Sequence, residues 1–449
     1  MNDWSDAEAR VERAHQLYEQ GRWPEAAAEL RAAIEINPYN PSWHFNLGLT
    51  LEAMEDYARA CEAFRVALDL EGDDIETLNC LGVNMTRQGR YAEALEYLGQ
   101  IEQLDPTYEP SYCNRIITYS EMGLHEQADL MFYLARQVKD ECPLCLYNIG
   151  NSLYARGQYR RAIACWQRTA ALDDHLQARL RIAEAYWAKG DLVRAKRYYL
   201  RQLAHSGEDV DILLDYGELL MEMGQATEAE AKFRRVLELA PETAAAHYCL
   251  GELAAGLDHV EAAIRSFRTT LKLDPAYCGA HAKLAGLLIR KGRVQEAAKH
   301  ILAELRRCGD DTAMLQELGQ LLLDAHLTRH ANTVLRRLVS LAPDDPHAQH
   351  NLAVSFFKMD RLPEGIRHCR RALKLKPEYP LALYNLAIAH LKMGQLPRAR
   401  RYAARALTIA PRDENIRELS KRLGVRGFWS KLRGLYLARR RRRLRRGGK

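Results

Sequence analysis

Apolar residues recur along this chain with helical spacing. In the stretch Pro41–Asp74, Leu47, Gly48 and Leu51 lie on one helical face, and Ala60, Phe64 and Ala67 lie on the face of a second helix. Both sets follow the three-, four- and seven-residue spacing of an amphipathic helix. The pattern then repeats. Proline follows an apolar run at Pro38, Pro106, Pro241, Pro275, Pro343, Pro377 and Pro411, at intervals of 34, 68 or 135 residues. Filling the gaps predicts twelve units of 34 residues over 7–413, one of them a residue short near 174–176. Gly72, Asp140, Asp174, Gly207 and Gly309 stand where five units lack the proline.

Four further columns share that register. Twelve residues before each turn stands a small residue: Ala26, Ala60, Ala94, Ala128, Ala162, Ala195, Ala229, Ala263, Ala297, Ala331, Gly365 and Ala399. Four residues later comes a bulky one in most units, such as Phe64, Leu98, Phe132, Trp166, Tyr199, Phe233 and Phe267. A small residue also marks the first helix, as at Gly48, Gly82, Gly150, Ala183 and Ala353, and glycine marks the mid-unit turn at Gly21, Gly89 and Gly157. Small residues let paired helices approach closely, the large one fills the gap, and glycine accepts positive φ at a helix end. The unit over 109–142 departs from this pattern, with Arg115 and Ile116 where its neighbours carry Leu and Gly. A wider or kinked contact is expected there.

These columns, with phrases such as WHFNLGLTLEAMEDYARACEAFRVAL over Trp43–Leu68, resemble the tetratricopeptide repeat over about nine tenths of the chain. The expected fold is all-α: a right-handed α-solenoid superhelix of twelve helix-turn-helix units. Residues 1–6 precede the array, 414–423 form a capping helix, and 424–449 form a basic tail. The resemblance implies that the first helix of each unit lines the concave side.

One first-helix position there carries Asn46, Asn114, Asn148, Asn351 and Asn385. An amide both donates and accepts, so a ladder of them can clamp an extended peptide backbone. The arrangement resembles the asparagine ladder of O-GlcNAc transferase repeat domains. The competing reading is that asparagine is simply common at this place. Tyr147, Asn151 and Tyr154 flank the first cluster; His347, His350, Phe357 and Tyr384 flank the second. These aromatic groups either anchor a ligand or pack on the next helix. Between the clusters Glu184, Asp211, Asp215, Glu218, Glu222 and Glu252 favour a basic segment, the chain's own tail included. The Lys–Asn set that clamps a C-terminal carboxylate in this family is missing.

Charge separates the tail from the body. The net charge is 65 − 59 = +6, yet 424–449 hold 11 basic residues and no acid, leaving −5 on the rest. Phe428, Leu432, Leu435 and Tyr436 share a helical face, flanked by Trp429 and covered elsewhere by Lys431 and Arg433. Arg439, Arg440, Arg441, Arg442 and Arg443 follow. Such a segment suits an anionic membrane surface. It also suits nucleic-acid phosphates, or it is a solubilising tail.

No P-loop, dinucleotide, nucleophile-elbow or HExxH signature occurs, so no catalysis, cofactor or metal is expected. The start lacks an apolar leader and no run is long enough to span a membrane. The ten cysteines then read as reduced thiols in a cytoplasmic protein. Cys142 and Cys145 form a lone CxxC at a unit junction, which cannot alone complete a four-ligand site; a redox or shared-metal role competes with plain buried thiols. His347 and His350, three apart on one helix face, could share a metal, but two ligands alone do not make a site, and none is expected there. The leading expectation is a non-catalytic scaffold that binds extended protein segments in its groove and docks by its tail. The alternatives are a nucleic-acid- or ribosome-associated factor, or a regulatory subunit of an enzyme such as a glycosyltransferase. Pairing of terminal units into a homo-oligomer is compatible with such an array.

Overall fold

The computed structural model describes residues 2–173 and 177–425. Among the described residues every regular element is an α-helix, from Asn2–Glu19 to Glu414–Arg422. They follow one another as antiparallel pairs, so the chain is an all-α solenoid. It divides into two compact units, Met1–Ala229 and Glu230–Lys449. Residues 174–176, where one repeat is a residue short, and the tail residues Phe428, Trp429, Lys431, Arg433 and Arg439–Arg443 lie outside the described residues.

Each repeat is built on one close approach. In the pair Pro41–Ala53 and Tyr57–Glu71, a Cβ added to Gly48 would stand 2.5 Å from the Phe64 ring. That is well inside van der Waals contact, so only a hydrogen fits. Gly82 meets Leu98 and Gly251 meets Phe267 in the same way, and all three large partners are fully buried. Alanine takes the small place where the partner is Ile301 or Cys369.

The departing repeat shows what happens when this rule is broken. Ile116 is fully buried in the place of the glycine, and the facing Phe132 is only half-buried. Met131 takes the enclosed position instead, at 4% exposure. The helices keep their pairing while the bulky side chain moves over by one residue. Arg115, beside Ile116, forms an ion pair with Glu102 at 2.5 Å.

All twelve mid-repeat turns use the left-handed region, with φ between 58° and 81°. Eight are glycine; Glu55, Asp258, His326 and Asp360 supply the other four. The turn geometry therefore comes from the packed helix pair, and glycine only lowers its cost. The long turns between repeats are closed by side-chain caps. Asn40, Asp74, Asp209, Asp311, Asp345 and Asp413 each accept a backbone N–H from the helix that follows. Prolines at the first positions of Pro41–Ala53, Pro143–Ala155, Pro346–Lys358 and Pro380–Lys392 start helices where no N–H is needed.

The ends of the chain pack on their neighbours. Residues 2–6, expected ahead of the repeats, are the first turn of Asn2–Glu19, and the Trp4 and Trp43 rings lie 6.2 Å apart. Helix Glu414–Arg422 buries Ile416 and Leu419 against Ala387, Ala399 and Leu383, with Arg400 donating to the Leu423 carbonyl at 2.9 Å. This covers the apolar face that the last repeat would otherwise expose.

Two outcomes follow for stability, measured by urea denaturation with hydrogen exchange to localise the effect. Gly48→Val should destabilise its repeat by about 1–3 kcal/mol through overpacking, and Phe64→Ala in the same chain should recover part of it. Gly157→Ala meets no neighbouring atom and has φ 70°. It should cost about 1 kcal/mol from backbone strain alone.

Candidate functional site

The asparagine positions fall on first helices as expected, but they are not equivalent. In the first unit, Asn114 Nδ2 donates to Asn79 Oδ1 at 2.8 Å, from one first helix to the preceding one. Asn148 is 7% exposed, and its Nδ2 has no hydrogen-bond partner. Asn46 and Asn151 are half-exposed. The structure thus joins Asn114 to its neighbour and leaves the Asn148 amide unsatisfied.

The aromatic flank divides in two. Tyr147 accepts from Arg181 Nε at 3.3 Å through its hydroxyl, and Arg181 Nη1 also donates to Glu184 at 2.9 Å. Tyr154 lies against Tyr159 and Trp166, with ring centroids at 5.3 and 5.9 Å. It borders a pocket of about 500 Å³ lined by Tyr154, Glu184, Trp187, Tyr199, Asp215 and Glu222. These come mainly from three successive first helices, Pro143–Ala155, Ala178–Ala188 and Val210–Glu222.

This pocket is where the acidic stretch acquires chemistry. Burial pushes the Asp215 carboxyl up to about 6, helped by the negative charges of Glu184, Glu218, Asp211 and Asp209. Trp187 donates its indole N–H to Glu222, which holds the indole beside the acids. The Tyr199 hydroxyl is fully buried and has no partner. Aromatic walls around crowded carboxylates suit a cationic side chain. Trp187 was not singled out from the sequence. It stands at the same place in its repeat as Tyr154, and that column was the available signal.

In the second unit the asparagines are tied to histidine. Asn385 Nδ2 lies 2.9 Å from His350 Nε2, and His350 Nδ1 lies 3.4 Å from Asn351 Oδ1. Burial pushes the His350 imidazole down to about 4. His347 pairs instead with the Tyr379 hydroxyl at 3.2 Å, so the two histidines serve separate partners. Phe357 packs on Gly365, and Tyr384 sits half-buried in the apolar cluster under the last helix; neither is a free anchor. Asn351 borders an open pocket of about 440 Å³ with Gln316, Glu317 and Gln320. Glu252, counted among the acids, is paired with Lys283 at 2.8 Å.

The cysteines depart from the expected pool of reduced thiols. Cys113 and Cys145 are joined by a disulfide between Glu109–Glu121 and Pro143–Ala155. The Cys142 sulfur lies 3.6 Å from that of Cys113. The CxxC pair is therefore not alone, because its third sulfur comes from the preceding repeat. Position five of one first helix lies beside position three of the next, a relation visible only once the helices are stacked. No described helix is long and apolar enough to cross a membrane.

Family models described as tetratricopeptide repeats match residues 14–55, 44–74, 75–101, 143–176, 214–276, 251–312 and 344–412. A model of YpiA-like C-terminal tetratricopeptide repeats matches 177–243. The chain is 31% identical over 351 residues to protein O-mannosyl-transferase TMTC2 of Homo sapiens, covering 74% of this chain and 41% of that protein. It is 23% identical over 176 residues to the TPR repeat-containing protein YpiA of Bacillus subtilis, covering 38% and 41%. The chain thus spans less than half the length of these relatives. A crystal structure of the APC/C hetero-tetramer Cut9-Hcn1 aligns with 91% of the chain at 14% identity and a TM-score of 0.43. The repeat columns, the stacked helix pairs and the run of matching models agree: this chain belongs to the tetratricopeptide repeat family.

Proposed function

We propose that the chain is a non-catalytic interaction scaffold that binds an extended, basic protein segment across its first helices. The observation that carries this reading is the pocket lined by Glu184, Asp215 and Glu222 together with Tyr154 and Trp187. A lysine or arginine side chain there would offset the burial and the like charges that raise Asp215 and would face an aromatic wall. Asn148 stands on the same first helix as Tyr154, and its enclosed, unpartnered amide reaches a peptide carbonyl by turning its side chain outward, while the half-exposed Asn46 and Asn151 can meet the same backbone. In the second unit, Asn351 and Asn385 would contribute less, since His350 already engages both. Tail docking to an anionic surface is the second part of the proposal and rests on sequence alone. The transferase activity in the name of TMTC2 stays with that protein.

The probe for the groove is a fluorescein-labelled peptide of alternating Ser and Lys, titrated into the full-length chain against a Ser-Glu control. Selective, salt-sensitive binding of the basic peptide is expected. Glu184→Gln with Asp215→Asn should abolish the selectivity; if affinity is unchanged in that variant, the acidic pocket is not the site. Asn148→Ala should weaken the probe by about tenfold, the equivalent of a net hydrogen bond of about 1.4 kcal/mol. It should leave the melting temperature equal or higher, because the buried amide has no partner to lose. A lower melting temperature would make Asn148 structural.

The pH dependence has a definite sign. A raised carboxyl pKa means that the folded chain holds a proton which the unfolded chain has released between about 4 and 6. Asp215 therefore lowers stability as pH rises through that window. Asp215→Asn should melt higher than the parent at pH 7 and lose that advantage at pH 4. A bound cation favours the carboxylate, so probe affinity should fall as pH drops through about 6, and Asp215→Asn should flatten that profile.

A further inference from the structure

We propose that Cys113, Cys142, Cys145 and Glu109 are the ligands of a zinc site that fastens the first helices of two consecutive repeats. Their four ligand atoms lie within 4.8 Å of one another, and the three cysteines are buried. The Cys113 and Cys142 sulfurs are 3.6 Å apart, and Cys113 Sγ is 4.0 Å from Glu109 Oε1. Sulfurs bound to one tetrahedral zinc at about 2.3 Å stand about 3.8 Å apart. Once the Cys113–Cys145 bond is reduced, all four groups stand within reach of one ion.

The disulfide between Cys113 and Cys145 uses two of the four groups. It leaves unexplained why a third sulfur and a carboxylate converge on the same point. The place of Cys142 is informative. It is the N-cap of Pro143–Ala155, where other repeats use Asn40, Asp74, Asp209, Asp311 or Asp345. Its sulfur accepts the Cys145 backbone N–H at 3.1 Å. Lys139, 3.1 Å from Glu109, offsets part of the surplus negative charge of three thiolates and a carboxylate around a divalent ion. Three thiolates and one carboxylate favour zinc over the oxygen-seeking Mg2+ and Ca2+.

Loading begins from the reduced chain. Tris(2-carboxyethyl)phosphine attacks the disulfide and leaves as its oxide with the oxygen of one water, and both sulfurs become thiols. Zn2+ then displaces three thiol protons to solvent and gains three sulfur bonds and one oxygen bond. The ion would hold Glu109–Glu121 against Pro143–Ala155. It makes no use of the acidic pocket, so it stands or falls apart from the peptide-binding proposal.

The test uses the full-length chain, reduced with the phosphine under argon and checked by thiol titration, with Co2+ as the probe. The expected result is saturation at about one cobalt per chain, with a thiolate-to-cobalt charge-transfer band, tetrahedral visible bands, and bleaching by Zn2+. Cys142→Ser should lose most of the charge-transfer intensity, while Cys278→Ser, at an exposed thiol, should keep it. Glu109→Gln should keep the thiolate band and loosen zinc by about tenfold or more in competition with a chromophoric chelator. Circular dichroism of each variant separates ligand loss from unfolding. A fully reduced, folded chain without the band overturns the proposal and leaves a plain disulfide; so does a band that survives in Cys142→Ser.

Discussion

The distance between the two helices of a repeat governs everything else in this protein. It is set by one glycine or alanine facing one bulky side chain, as at Gly48 and Phe64. With a hydrogen on one side and a phenyl ring on the other, the helices can close to contact, and the mid-repeat turn must then take positive φ. Four turns do so with Glu55, Asp258, His326 and Asp360, which shows that the helix pair imposes the turn. The repeat at Ile116 keeps the same pairing by exchanging Phe132 for Met131 in the buried place. The constraint is therefore on summed volume, and a shift of one residue can satisfy it.

Because the core columns occupy fixed faces, other first-helix positions are released from packing. Their side chains meet groups from the next repeat, and these meetings decide what the surface can bind. Asn114 is bonded to Asn79, Asn385 to His350, and Glu252 to Lys283. Asn148 and Asp215 are two positions with unsettled electrostatics, one an amide without a partner and one a carboxyl raised by burial and like charge. Unsatisfied polar groups at low exposure are costly to folding. Asn148 and Asp215 stand two repeats apart in the first unit, with the Trp187 repeat between them.

The cysteine cluster follows the same logic at a junction. A helix N-cap needs an acceptor for a backbone N–H, and Cys142 supplies sulfur where other repeats supply a carboxylate or an amide. Cys113 and Cys145 cross-link the two first helices at that point. The link lies next to the repeat in which Arg115 and Ile116 break the core pattern.

The 34-residue period, the helix pairs, the small and large columns and the covering role of Glu414–Arg422 were legible in the sequence. They were legible because each repeat meets the same packing demand, so the demand is written twelve times in register. The polar surface is not written that way. The sequence placed Asn46, Asn114, Asn148, Asn351 and Asn385 in one column as equals, and it set Cys142 and Cys145 apart from Cys113. Stacking decided which amides are engaged, brought Trp187 beside Glu222, and carried Cys113 to Cys142 and Cys145. The physical reason is that packing within a repeat joins residues about 16 apart on one pair of helices, as in Gly48 and Phe64. The chemistry here joins residues some 30 or more apart on neighbouring repeats, as in Cys113 and Cys145, a relation that exists only after the repeats have stacked.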